Sequence, residues 1–338
     1  MSDRYRRPTE GRAPSRRAPH RDYDDRPRPR RRVHPDDQRH RRRRPPPKQR
    51  LRKTPIIVML AIIGVVFFFM FRSPSEEEYT PVITPPIDEE TPEEGISFGS
   101  LPLSELNDTG YLKLVNRTFA MDREMDYSLL LFAAPTVAAR ADYITMHRTL
   151  LNAVANLFAD AVDVPGIGPF FVSSGYRDVA RQAEIYNNAY DTLYVMPPGH
   201  SEHNLGLAVD ISIEGVPMTS HEMSGHPSAI WLRDNAWRHG LILRYPQGMT
   251  HITEVAYEPW HFRYVGRIHA WYMAVNDLVL EEYLEQLANR GSIVVPLDGR
   301  TYHIFYHRTQ AGNLPVPLDM EFTISRSNRG GFVVTTWE

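Results

Sequence analysis

Three short stretches carry side chains able to do chemistry. The first is HSEHNLGLAVDI, residues 200–211. Leu205, Leu207, Val209 and Ile211 alternate as a buried strand does, which leaves Asp210 between two β-branched residues. A carboxylate there is costly to bury without a partner. Because successive strand side chains face opposite ways, Gly206, Ala208, Asp210 and Ser212 share the second face. Small, small, acidic, small describes the floor of a cleft better than a solvated surface. His203, just ahead of the strand, can swing towards the same cleft. Neutral imidazole and carboxylate are ordinary zinc ligands, with bonds of about 2.0–2.2 Å. Taken alone, the two residues are more readily explained as a hydrogen-bonded buried pair.

The second stretch, EPWHFRY at 258–264, puts Glu258 three residues before His261. A catalytic zinc site needs three protein ligands, an open position and a base near the bound water. His203, Asp210 and His261 are the candidate ligands and Glu258 the candidate base. Pro259 holds Glu258 extended, so a bend must follow for both side chains to face one cleft. Read by itself, EPWH is a strand end with a packed Trp260, and Trp260 and Tyr264 either line the cleft or fill the core. The third stretch, SSGYRD at 173–178, closes a strand and opens a helix. Arg177 could offer its fork of donors to a carboxylate or developing oxyanion. The competing reading is a surface ion pair with Asp178 or Glu184. Of the other histidines, His221 and His226 fall in a polar loop. His303 and His307 share a strand face with Phe305, but no carboxylate joins them at short spacing to make a second metal site.

The elements that must position these groups are partly legible. A helix is expected over Asp142–Val162, with Leu150, Leu151, Val154, Leu157 and Phe158 at helical spacing. Phe170–Ser174 reads as a strand, and Asp178 as the N-cap of a helix over VARQAEIYNNAY. Ser228–His239 reads as a helix stopped by Gly240, followed by LILRY and HITEVAY as strands. LVLEEYLEQLANRG is an amphipathic helix ending at Gly291. TYHIFYH, EFTIS and GFVVTTW are short strands, with Asn328–Gly331 as a turn.

The 338 residues include no cysteine, which excludes disulfides, thiolate metal sites and cysteine nucleophiles. The net charge of -2 conceals an asymmetry. Residues 1–53 hold 21 of the 39 Lys and Arg but 7 of the 41 Asp and Glu, a net of +14 against -16 for the remainder. This Arg- and Pro-rich segment cannot bury a core and is expected to be disordered. It holds almost no aromatic residue for base stacking, so specific nucleic-acid binding is not expected. Residues 54–71, TPIIVMLAIIGVVFFFMF, carry no charge over 18 residues. As a helix they would span about 27 Å, close to the ~30 Å of a bilayer's hydrocarbon. Arginines before the span and Ser-Pro-Ser-Glu-Glu-Glu after it indicate an uncleaved signal anchor. Residues 1–53 would then form a cytoplasmic tail, near anionic lipid or a cytoplasmic protein, with the rest outside the membrane. Residues 72–96 are an acidic, Pro-rich linker.

In this order the motifs SGYRD, SEHNLGLAVDIS and NAWRHGLILRYP…YEPWHFRYVG resemble the VanY-type D-alanyl-D-alanine carboxypeptidases, zinc peptidases related to lysostaphin-like enzymes and the hedgehog domain. The likeness covers roughly residues 108–275. It implies that His203, Asp210 and His261 bind Zn2+, that Glu258 is the general base, and that Arg177 contacts the substrate's carboxylate or carbonyl oxygen. Gln182 and Ser201 stand where the family has polar substrate contacts. Asn204 stands where it often has Gln. The implied substrates are peptidoglycan stem peptides losing a C-terminal D-alanine, by D,D or L,D cleavage. A cell-wall endopeptidase and a non-catalytic zinc-bearing wall-binding module are the competing readings. The expected architecture is α+β: one N-terminal transmembrane helix, a zinc carboxypeptidase domain at 97–278 with a small antiparallel sheet flanked by helices, and a small C-terminal β appendage at 279–338.

Overall fold

The computed structural model describes residues 95–122, 126–309 and 312–338. The expected tail at 1–53, the span at 54–71 and nearly all of the linker at 72–96 lie outside the described residues. Among those described, no helix is long and apolar enough to cross a membrane.

In chain order, β1 is Phe98–Pro102, β2 Leu130–Phe132 and β3 Thr145–His147, followed by helix α1 at Arg148–Ala161. Then come β4 (Phe170–Ser174), α2 (Val179–Asn187), β5 (Ala208–Ile213), α3 (Ser220–Ser224), α4 (Pro227–Asn235), β6 (Leu241–Leu243), α5 (Thr250–Thr253), β7 (His261–Tyr264), α6 (Arg267–Val275) and α7 (Leu280–Arg290). The chain ends in β8 (Ser292–Leu297), β9 (Arg300–His307), β10 (Asn313–Pro317), β11 (Phe322–Arg326) and β12 (Phe332–Trp337). This is an α+β arrangement. One antiparallel sheet runs β4-β5-β7-β6 and a second runs β11-β12-β9-β8.

The first sheet is held by α1. His147 caps that helix, its Nδ1 accepting from the Thr149 amide at 3.1 Å, and Leu150, Leu151, Val154 and Leu157 face inwards. They pack with Val172, Val209, Ile211, Leu241 and Phe262 of the sheet. Each such side chain contributes about 1.5–3 kcal/mol on burial, so the sheet's inner face is firmly fixed. The helix starts six residues later than the pattern suggests. Thr145–His147 instead pairs with Leu130–Phe132 as β3, a choice that depends on a partner far back in the chain.

Two further expectations need correction. The strand read from Leu205 begins only at Ala208. Glu202–Leu205 forms a 3-10 turn closed by Gly206 in the left-handed region, at φ 65°. HITEVAY is not a strand: Thr250–Thr253 is one helical turn, ended by Glu254 at φ 60°. Its local bonds, such as Thr253 N to Met249 O at 2.9 Å, outweigh the β-branched composition.

The C-terminal helix and strands share a second core, in which Leu280, Tyr283, Leu284 and Leu287 of α7 meet Ile293, Val295, Ile304 and Val333. Leu112 and Leu114 also enter this core, and β1 pairs with β10 from Phe98↔Pro317 to Pro102↔Asn313. The beginning and the end of the described chain are therefore packed together.

Candidate metal centre

The register of the first sheet places Asp210 of β5 directly opposite His261 of β7, and His261 Nδ1 lies 2.9 Å from Asp210 Oδ1. His203 arrives from the 3-10 turn, which is tied to the loop after β4. Its Nδ1 lies 2.6 Å from the Gly175 carbonyl, its own carbonyl accepts from the Arg177 amide at 3.2 Å, and Asn204 Nδ2 donates to the Arg177 carbonyl at 2.7 Å. With Nδ1–H donating to Gly175, the lone pair of His203 is on Nε2, 3.4 Å from Asp210 Oδ2. One ligand atom from each of the three residues lies within 4.8 Å of the others. Bonds of about 2.0–2.2 Å at tetrahedral angles separate ligand atoms by roughly 3.3 Å; His261 Nδ1 and His203 Nε2 lie 2.9 and 3.4 Å from the two oxygens of Asp210, close to that spacing. Two imidazoles and one carboxylate, all buried, are a chemically suitable set for such an ion. It is the one such cluster among the described residues.

Glu258 reaches the same point by a turn. The His261 amide donates to the Glu258 carbonyl at 3.1 Å, and Glu258 Oε2 comes within 3.8 Å of His261 Nδ1. This is the bend that follows Pro259. Burial pushes the Glu258 carboxyl up to about 8, with Asp210 adding to the rise and His261 and Arg177 opposing it. Burial lowers His203 to about 4, and Arg177 adds to the effect, so its imidazole is neutral at ordinary pH. Burial also disfavours charge on His261, but the hydrogen bond to Asp210 and the facing carboxylates of Glu202 and Glu258 prevail and raise it to about 9 in the metal-free protein. Asp210 is buried, yet its two histidine neighbours hold it well below the usual carboxylate range.

These groups open onto a cleft of about 860 Å³, lined also by Arg177, Gln182, Ser201, Tyr245 and Trp260. Arg177 Nη2 is 3.6 Å from Asp210 Oδ2, and its Nη1 donates to Gln182 Oε1 at 2.8 Å. Its Nε is buried without a hydrogen-bond partner. Gln182 donates in turn to the Met196 carbonyl at 2.6 Å, so its amide is engaged behind Arg177. Ser201 is buried at the start of the 3-10 turn. Trp260 both lines the cleft and packs on the first core. Tyr264 packs away from the cleft, edge-on to Tyr111. The Tyr245 ring stacks on His261 at 4.8 Å and so fixes the imidazole plane.

Sequence reasoning missed a charged cluster behind the ligands. Glu202, Arg244 and Arg263 are all but inaccessible to solvent. Glu202 Oε1 meets Arg244 Nε at 2.8 Å and Arg263 Nη1 at 2.9 Å, and Arg244 makes a second, bidentate pair with Glu281 of α7 at 2.6 and 2.9 Å. A signal was present: Arg244 and Arg263 are lone cations inside apolar runs, LILRY and HFRYV, where a buried carboxylate partner is required. His303, by contrast, pairs only loosely with Glu338 at 3.2 Å, and His226 caps α4.

Comparison with known proteins agrees with this geometry. The family model "VanY: D-alanyl-D-alanine carboxypeptidase" matches residues 143–267, which span both ligand motifs and Arg177. A D-alanyl-D-alanine carboxypeptidase of Enterococcus faecium is 37% identical over 195 residues, covering 57% of this chain and 62% of that protein. The putative carboxypeptidase YodJ of Bacillus subtilis (strain 168) is 34% identical over 191 residues, covering 54% of this chain and 69% of that one. The chain thus spans a little under two thirds of the Enterococcus relative. Among solved structures, the vancomycin-resistance D,D-dipeptidase VanXYg, in complex with a D-Ala-D-Ala phosphinate analogue, aligns with a TM-score of 0.62 at 27% identity. That alignment covers 72% of this chain and 99% of that one. The chain belongs to the VanY family of D-alanyl-D-alanine carboxypeptidases.

Proposed function

We propose that the protein is a zinc-dependent carboxypeptidase that removes a C-terminal D-alanine from peptidoglycan stem peptides. The observation that carries the reading is the convergence of His203, Asp210 and His261 with Glu258 and Arg177 in one cleft. A zinc ion held by the three ligands would supply a Lewis acid for the scissile carbonyl and acidify a water molecule. Glu258, its carboxyl raised by burial, takes a proton from the attacking water and delivers it to the leaving amine as the C–N bond breaks. Arg177, oriented by Gln182, binds the peptide's terminal carboxylate or the oxygen that gains charge. The likeness to a D,D-dipeptidase solved with a D-Ala-D-Ala phosphinate analogue supports a D-alanine terminus.

The uncharged run at 54–71 and the excess of Arg before it support a single membrane anchor, with residues 1–53 cytoplasmic and the catalytic part outside. That placement sets the cleft beside the cell wall. Mass spectrometry of defined tetra- and pentapeptide stems, incubated with and without chelator, tests the activity. Loss of one alanine residue, abolished by chelator, is the expected result, and the peptide that is cut separates L,D from D,D cleavage. Intact peptides under both conditions would refute the reading.

A further inference from the structure

The ligand His261 is gripped from two sides. Its Nδ1 faces Asp210 and Glu258, while its Nε2 is buried and has no hydrogen-bond partner. Glu202 Oε2 is likewise buried and without a hydrogen-bond partner, and it lies 3.7 Å from that Nε2. Two orphaned polar atoms facing each other are an unusual pairing, since a buried polar group left unsatisfied is costly. The chemistry of the site removes the anomaly. An imidazole that offers Nδ1 to a cation carries its proton on Nε2, and here that N–H is aimed at a carboxylate.

Glu202 is well placed to hold that aim. Its other oxygen is fixed by Arg244 and Arg263. Arg244 is fixed in turn by Glu281, whose Oε1 also accepts from Asn116 Nδ2 at 3.2 Å. Two guanidinium and two carboxylate groups form a set of zero net charge, so Glu202 needs no proton from the imidazole to be neutralised. A carboxylate behind a metal-bound imidazole fixes the ring and raises its basicity, and its loss typically weakens metal binding 10–100-fold.

We propose that Glu202 is a positioning residue for His261, receiving its Nε2–H, and that α7, through Glu281 and Arg244, is part of the support for the metal centre. This rests on the zinc reading above. It also gives the C-terminal helix a task at the site, although α7 lines no part of the cleft.

The test measures zinc affinity of the purified protein by competition with a chromogenic chelator, and records the visible spectrum of the cobalt(II)-substituted form. Glu202→Gln and Glu202→Asp are compared with the parent. Asp keeps a carboxylate for the two arginines but draws it back from His261, so it serves if the Gln variant fails to fold. The expected result is one zinc per parental chain, 10–100-fold weaker binding in both variants, and shifted cobalt bands. Nitrogen-correlated NMR of the zinc-loaded parent should show a solvent-protected proton on His261 Nε2. Parental affinity and spectrum in a folded variant, or a His261 proton found on Nδ1 in the zinc-loaded parent, would overturn the positioning role. A parent that binds no zinc would instead remove the metal reading on which it rests.

Discussion

Exchanging Glu258 for Gln should improve stability while destroying activity. The residue is 6% exposed, and its carboxyl is raised from an ordinary 4.5 to about 8 by burial and by Asp210. In the metal-free protein the folded state therefore binds more protons than the unfolded chain between pH 4.5 and 8. Its stability must fall as pH rises through that window, by about 1.4 kcal/mol per pH unit for one group. By pH 7 the deficit is on the order of 3 kcal/mol, and it reaches its full size only above pH 8. Gln keeps the shape and has no such titration. In urea denaturation with excess chelator, Glu258→Gln should match the parent's trend near pH 4.5 and pull ahead of it by about 3 kcal/mol towards pH 7. With zinc restored, the three ligands remain, and turnover should drop by about 10²–10⁴, the usual worth of a general base. Parent and variant stabilities that run parallel across the window would refute the electrostatic argument. Peptide hydrolysis at the parental rate would refute the role of Glu258.

Two more perturbations probe the frame around the site. His269 is buried between the Tyr283 hydroxyl and Thr335, and burial lowers it to about 3 from 6.5. The unfolded chain then binds the extra proton between those values. The parent should lose up to roughly 5 kcal/mol relative to His269→Gln as pH falls from 6.5 towards 3, read from paired denaturation curves. A Cβ at Gly175 would fall on the Thr145 carbonyl oxygen. Gly175→Ala should therefore cost about 1–3 kcal/mol in thermal melts, and should cut turnover at least tenfold by shifting the carbonyl that holds His203 Nδ1.

The sequence singled out His203, Asp210, Glu258 and His261 because their types and short spacings are rare in combination. These are the side chains that the β5–β7 register and the 3-10 turn bring together. What it could not carry was set by partners distant in the chain. β3 displaced the start of α1 because Leu130–Phe132 was available to pair with it. Leu205, the last residue of the 3-10 turn, was drawn into the strand by an apolar alternation that begins there, and only Gly206 marked the break. Glu202 drew no attention because Arg244, Arg263 and Glu281 lie 42, 61 and 79 positions further on. The helical turn at Thr250–Thr253 was masked by its β-branched residues, although its hydrogen bonds, such as Thr253 Oγ1 to the Met249 carbonyl, are purely local.

The pairing of β1 with β10 has a mechanical side. Tension arriving along the chain ahead of Ile96 would enter at Phe98, where the strand is zipped to Asn313–Pro317 and backed by Leu318 N donating to the Ser97 carbonyl at 3.0 Å. The pull would be resisted first by that ladder, whose two strands form a sheet separate from β4-β5-β7-β6. Load on the amino side of the chain would thus meet the zipped β1–β10 ladder before it met the strands that carry Asp210 and His261.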